Sequence, residues 1–237
     1  MDIQELSRLM GVDSRTILRK RVEPFGTEYD LVRDTLAAIS KVRIAEREIT
    51  LPGLTRYRDL ILAVLAEFRD KEQKNIMPLA YAKSDHIVIM ALRPEHFGLY
   101  TWKKEVTIAA TKYTATDNII PTSAGVFTVP EKQIFIITDL VDFAPESPVT
   151  AIQVADIDGN KHQPFSVRKD LKLSDLHVIE LDFPLVADST LDLDALVERT
   201  TVDASAEEKV THELTPFGVW IGYGKDVPKL RVETDET

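Results

Sequence analysis

Five histidines are the chain's whole supply of imidazole for metal binding or proton transfer: His86, His96, His162, His177 and His212. No two stand in an H-x-H, H-x3-H or H-E-x-x-H relation, the spacings that set two rings on one face of a strand or helix. A metal centre would have to be gathered from distant strands. Cysteine is absent, which excludes disulfides, thiolate nucleophiles and cysteine-ligated zinc. Asp156-Ile157-Asp158-Gly159-Asn160 has the residue types of a calcium loop. An EF-hand needs glycine at its sixth position and an acid at its twelfth. Counted from Asp156, Gly159 is fourth and Val167 twelfth, so the run reads as a hairpin turn. Asp188, Asp192 and Asp194 read as the solvated face of a strand whose leucines face a core. Trp102 beside Lys103 and Lys104 has the makings of a sugar- or base-stacking site, with half-buried packing as the other reading. There is no glycine-rich phosphate loop and no G-x-S-x-G elbow. These residues offer no catalytic set, no metal site and no cofactor, and the expectation is a non-enzymatic protein.

Those side chains need a scaffold, and composition allows a large one. Of 237 residues, 44% are hydrophobic and 29% charged, enough to bury a core and too apolar for disorder. No apolar run approaches the ~20 residues of a membrane span, and MDIQELSRLM lacks the order of a signal peptide. The chain is expected to be made in a cytoplasm. Asparagine, glutamine and methionine are scarce, which fits a heat-adapted source. The net charge of −10 is unevenly placed. Residues 1–75 hold 14 basic and 13 acidic side chains, for +1; the remainder holds 15 and 26, for −11. An acidic body repels nucleic acid, so any such contact falls to the first 75 residues.

Periodicity divides the chain into a helical region over residues 1–75, a β domain over 76–228 and an acidic tail over 229–237. Residues 28–48 read as an amphipathic helix on Leu31, Thr35, Leu36, Ile39 and Val42. Pro52-Gly53 reads as a turn and Thr55 as the N-cap of a second helix over 56–73. Its stripe is Leu54, Tyr57, Ile61, Val64 and Phe68. That stripe either packs on its own domain or forms an interface between subunits. Within IQELSRLMGVDSRTILRKRV, Leu6, Ser7, Gly11, Val12, Thr16 and Ile17 carry a resemblance to helix-turn-helix DNA-binding modules. The resemblance implies a turn at Gly11 and DNA contacts from Arg15, Arg19 and Lys20. It departs from the pattern at Ser7, where a small alanine is usual. A basic arm or a packing helix is the alternative.

From residue 76 the period moves towards two. His86–Met90, Glu105–Ala110, Val149–Ala155, Val178–Leu185, Thr190–Ala195 and Gly218–Gly224 read as strands, with prolines spaced for loops between them. The stretches FTVPEKQIFIITDL, FPLVADSTLDLDALV and TPFGVWIGYG follow in that order. Over residues 118–226 this order resembles the jelly-roll proteins of virus and phage particles, such as capsid, decoration or spike subunits. The resemblance implies an antiparallel β-sandwich of jelly-roll type, with Pro130-Glu131-Lys132 carrying the chain from an edge into a central strand. It also implies a virion location and a symmetric homo-oligomer that contacts other virion proteins. The interface is then expected on Leu54, Tyr57, Ile61, Val64 and Phe68, with the β edge near Trp102 and Trp220 as a weaker site. Glu131 and Lys132 are expected to serve only solubility. A transcription regulator with a β sensing domain, and a carbohydrate-binding module centred on Trp102, remain the alternatives.

Overall fold

A computed structural model describes residues 29–44, 47–120, 127–144, 146–154, 165–167 and 178–228. Helix α1 (Tyr29–Ile39) is followed by the hairpin β1 (Lys41–Ile44) and β2 (Arg47–Thr50), then α2 (Pro52–Arg56) and α3 (Arg58–Glu72). Next come β3 (Ile87–Ala91), β4 (Lys104–Ile108), β5 (Thr114–Asn118), β6 (Phe127–Thr128), β7 (Ile134–Asp142), β8 (Val149–Val154) and β9 (Phe165–Ser166). The remaining strands are β10 (Val178–Ala187), β11 (Thr190–Leu191), β12 (Leu193–Glu198), β13 (Glu208–His212) and β14 (Leu214–Tyr223). The chain is mainly β, with several antiparallel sheets and a few helices. One four-stranded sheet has the order β10-β7-β14-β3 and the other β5-β12-β8-β9. Two-stranded pairs β1–β2, β11–β6 and β13–β4 complete the described strands.

The central strands of the first sheet are covered on both faces. Alternate residues of a strand point to opposite sides, and here both sides are apolar. Phe135, Ile137, Val88, Met90 and Trp220 face a core shared with Val149, Ile152, Leu193, Ala195 and Val197 of the second sheet. Their neighbours Ile136, Ile87, Ile89, Val219 and Ile221 face the helices, against Leu36, Ile61, Leu65 and Phe68. That is why Ile134–Asp142 reads as a near-continuous apolar run. Helix α3 is buried on most sides, with Leu60, Ile61, Ala63, Val64, Leu65, Ala66 and Phe68 all in the interior, as expected of a helix apolar around most of its circumference.

Several expectations need correction. The helix expected over 28–48 ends at Ile39, and residues 41–50 form a hairpin instead. Ser40 N–H closes the helix on Leu36 O, and Leu51 N–H closes the hairpin on Ser40 O. β-Branched Val42, Ile49 and Thr50 favour the pleated form locally. Pro52 opens α2 rather than turning the chain, a position where its missing N–H costs nothing. Thr55 lies inside that helix, its hydroxyl bonded to Leu51 O. Asp192 and Asp194, expected in water, are buried, while Asp188 is exposed. Lys132 does more than dissolve a corner. It adopts φ 63° in the turn closed by Gln133 N–H on Pro130 O. Its ammonium then reaches Glu72 of α3 at 3.2 Å. The run Asp156–Asn160 and the tail 229–237 lie outside the described residues.

The cap that Thr55 does not supply comes from the sheet. Asp139 of β7, fully buried, accepts the N–H groups of Gly53 at 2.8 Å and Leu54 at 3.0 Å, and the Thr138 hydroxyl at 2.8 Å. These are the orphan donors of a helix N-terminus. Burial pushes the Asp139 carboxyl up, and the three donors pull the other way without overcoming it. The approach requires glycine: a Cβ on Gly53 would lie 2.4 Å from Thr138 O and 2.7 Å from Asp139 Oδ2. Asp139→Ala leaves two buried N–H groups unpaired, and urea unfolding should show a loss of about 3 kcal/mol. Asp139→Asn, which keeps one acceptor, should lose less.

Candidate functional site

The residues expected to act on partners are mostly enclosed by their own chain. Leu54, Tyr57, Ile61, Val64 and Phe68 are all buried against the first sheet, Tyr57 through a 3.0 Å hydrogen bond from its hydroxyl to Leu181 O. Among the two readings of that stripe, the side chains are placed as intrachain packing and offer no apolar surface to a neighbour. Trp102 is buried with its ring 5.4 Å from Phe97, so it presents no stacking face for a sugar. Trp220 is fully buried and donates to Gln133 Oε1 at 2.9 Å. Arg15, Arg19 and Lys20 lie outside the described residues. Each described histidine is held by its own chain. His86 Nδ1 accepts Lys83 N–H, His96 Nδ1 accepts Arg93 N–H, and His212 is tied to Asp117. Among the described residues no group of three acidic or histidine side chains is arranged to hold a metal, and no helix is long and apolar enough to cross a membrane.

Three polar centres that were not legible in the sequence hold the β body's periphery. The first joins three strands. Asp117 of β5 sits 3.0 Å from His212 Nε2 of β13 and 3.4 Å from Lys104 Nζ of β4. His212 Nδ1 accepts Leu214 N–H at 3.3 Å, which puts the ring proton on Nε2. Burial pushes the Asp117 carboxyl up, but the His212 hydrogen bond and the Lys104 charge together hold it below the usual carboxylate range. A depressed carboxyl contributes stability above its unfolded value and loses it as pH falls through its folded value. Asp117→Asn should therefore be less stable than the parent by about 2 kcal/mol at pH 7. Equilibrium denaturation should show that difference shrinking as the pH is lowered below the usual carboxylate range.

The second centre is Arg199, just after β12. Its guanidinium donates to the carbonyls of Lys112 at 2.6 Å, Asp203 at 2.9 Å and Ala109 at 3.0 Å, and also to Ala206 and Ile108. It lies 3.5 Å from Glu208. Glu208 in turn accepts the hydroxyls and amides of Thr200 and Thr201, which hold its carboxyl at about 2. This clamp welds the β4–β5 turn to the loop before β13 and leaves Tyr113 and Val202 exposed at that end. Arg199→Ala should cost about 3 kcal/mol and open residues 199–208 to limited proteolysis. Arg199→Lys, with fewer donors and no fork, should not restore protection.

The third centre is Asp142, buried at the end of β7. Its carboxylate accepts Ala144 N–H and Glu213 N–H, both at 3.0 Å, and the Ser147 hydroxyl. It fixes one wall of a cavity of about 500 Å³ lined by residues of 143–148, 200 and 209–213 together with Lys103. A further exposed feature is the outer strand β10, where Phe183 and Val186 are 55% and 39% exposed. The strand's pairing to β7 slips between Glu180 and Leu185, and this irregularity places Asp182 and Phe183 outward. The bulge itself hinders edge-to-edge strand addition.

No protein-family profile matches the chain, and no curated protein matches it. It superposes on a chain from "Structure of infectious bursal disease virus Gx strain" with 11% identity and a TM-score of 0.31, covering 61% of this chain and 34% of that one. It superposes on "Crystal structure of infectious bursal disease virus VP2 subviral particle" with 16% identity and a TM-score of 0.23, covering 53% and 34%. The chain thus spans about a third of those chains. Likeness this loose assigns neither fold nor function.

Proposed function

We propose that this chain is a non-enzymatic structural subunit of a virus or phage particle, a jelly roll that works by assembling with copies of itself and with other particle proteins. Strand order carries the reading. Number β3, β5, β7, β8, β9, β10, β12 and β14 from one to eight along the chain. The first sheet then runs 6-3-8-1 and the second 2-7-4-5. One pairs with eight, two with seven, three with six and four with five, all antiparallel. This order supports a long hairpin ribbon rolled into two sheets, the arrangement of capsid, lectin and cupin jelly rolls. Trp102 is core, which does not fit the sugar site expected there. The step from fold to role is by analogy.

With Leu54, Tyr57, Ile61, Val64 and Phe68 buried, the assembly surface falls to exposed apolar groups on the β body, Phe183 and Val186 of β10 foremost. Any nucleic-acid contact falls to the first 75 residues, since the remainder carries −11. Light scattering and negative-stain images of purified chain should show trimers, pentamers, hexamers or closed shells. A monomer at every concentration and salt tested contradicts the reading. Phe183→Asp should weaken assembly at least tenfold while leaving monomer stability within about 0.5 kcal/mol, as an exposed substitution does.

A further inference from the structure

The cavity beside the β4–β13 pair combines an apolar floor with charged groups that have no partner. Phe143, Pro148 and Val210 form the floor, and Lys103, Glu146 and Glu213 stand on its lining. Among the described residues these three charged side chains make no hydrogen bond or ion pair, whereas Lys209 is held by Glu105 at 2.6 Å. Asp142 fixes the wall that carries Ala144 and Glu213 without any ligand, and the volume lies in the range of binding sites. Two unpaired carboxylates over an apolar floor suit a cation on an aliphatic stem. A guanidinium meets carboxylates through paired N–H donors while its methylenes lie on apolar surface. Lys103 supplies a donor for a carbonyl of the same segment.

The chain contains one acid-free run with four cations, residues 14–22, SRTILRKRV, in which Arg15 and the run Arg19-Lys20-Arg21 flank Ile17 and Leu18. The body from residue 76 onward carries −11, so two bodies repel unless a cation lies between them. We propose that the cavity of one subunit receives residues 14–22 of a second copy, with arginine seated on Glu146 and Glu213. The inference rests on the self-assembly reading and names one of its contacts.

Reciprocal charge reversal in the full chain tests it. One variant carries Glu146→Arg and Glu213→Arg; the other carries Arg15→Glu, Arg19→Glu, Lys20→Glu and Arg21→Glu. Light scattering should show each alone assembling at least tenfold more weakly than the parent, with an unchanged melting midpoint. Mixed and differently labelled, the two should associate with each other by energy transfer. If the cavity variant does not fold, Glu213→Gln replaces it and should still weaken assembly. Parent-like assembly of both variants overturns the inference, as does a mixture that stays apart. Loss of nucleic-acid binding in the second variant with assembly intact also overturns it. A parent chain that is itself monomeric refutes the assembly reading instead, so the two failures are distinguishable.

Discussion

The structure depends on two central strands that have no solvent face. Strands β7 and β14 bury both of their sides, one against the second sheet and one against the helices, so the two cores meet across a single layer of backbone. Asp139 is the polar fastening in that arrangement. A carboxylate without water is costly, and here it is placed where three donors, two of them helix amides with no other partner, converge on it. Gly53 lets the helix come close enough for those bonds to form. Helices α1 to α3 are thus a layer of the same folded unit, joined also by Lys132 to Glu72 and by the Tyr57 hydroxyl to β10.

Outside this centre the body is held by isolated polar hubs, each reaching across elements distant in sequence. Arg199 satisfies carbonyls from two loops, Asp117 ties β5 to the β4–β13 pair, and Asp142 sets the turn around Glu213. A hub of this kind fixes a loop without needing apolar residues there. The consequence for function is a surface whose tips and cavity are formed before any partner arrives, which lowers the ordering cost of association. Tyr113, Val202 and the charged lining of the cavity are presented on such fixed backbone.

Strand positions were largely legible because alternation survives in a single sequence. Val149–Val154, Val178–Ala187 and the stretch to Tyr223 lie where the pattern puts them. The failures have physical causes. Val42 continues an apolar spacing that also fits a helix, and only the hairpin partner separates the two. Asp192 and Asp194 follow the alternation that normally marks a wet face, yet lie inside, within the electrostatic reach of Lys104 for Asp194. The stripe from Leu54 to Phe68 has the composition of an interface because cores and interfaces share their chemistry. Trp102 has the residue type of a stacking platform, but it packs against Phe97 in the core. Asp139, Arg199 and Asp142 left little local signal, since each reaches a backbone group far away in the chain: Gly53, Lys112 and Glu213.

The claim that helices α1 to α3 form a core layer on the first sheet is tested most directly by native-state hydrogen exchange on the purified protein. The account predicts that amides in α3, β7 and β14 exchange with one shared free energy, the global one, since none of them can open without exposing the others. Exchange of α3 amides at a much lower free energy than those of β7 would contradict it.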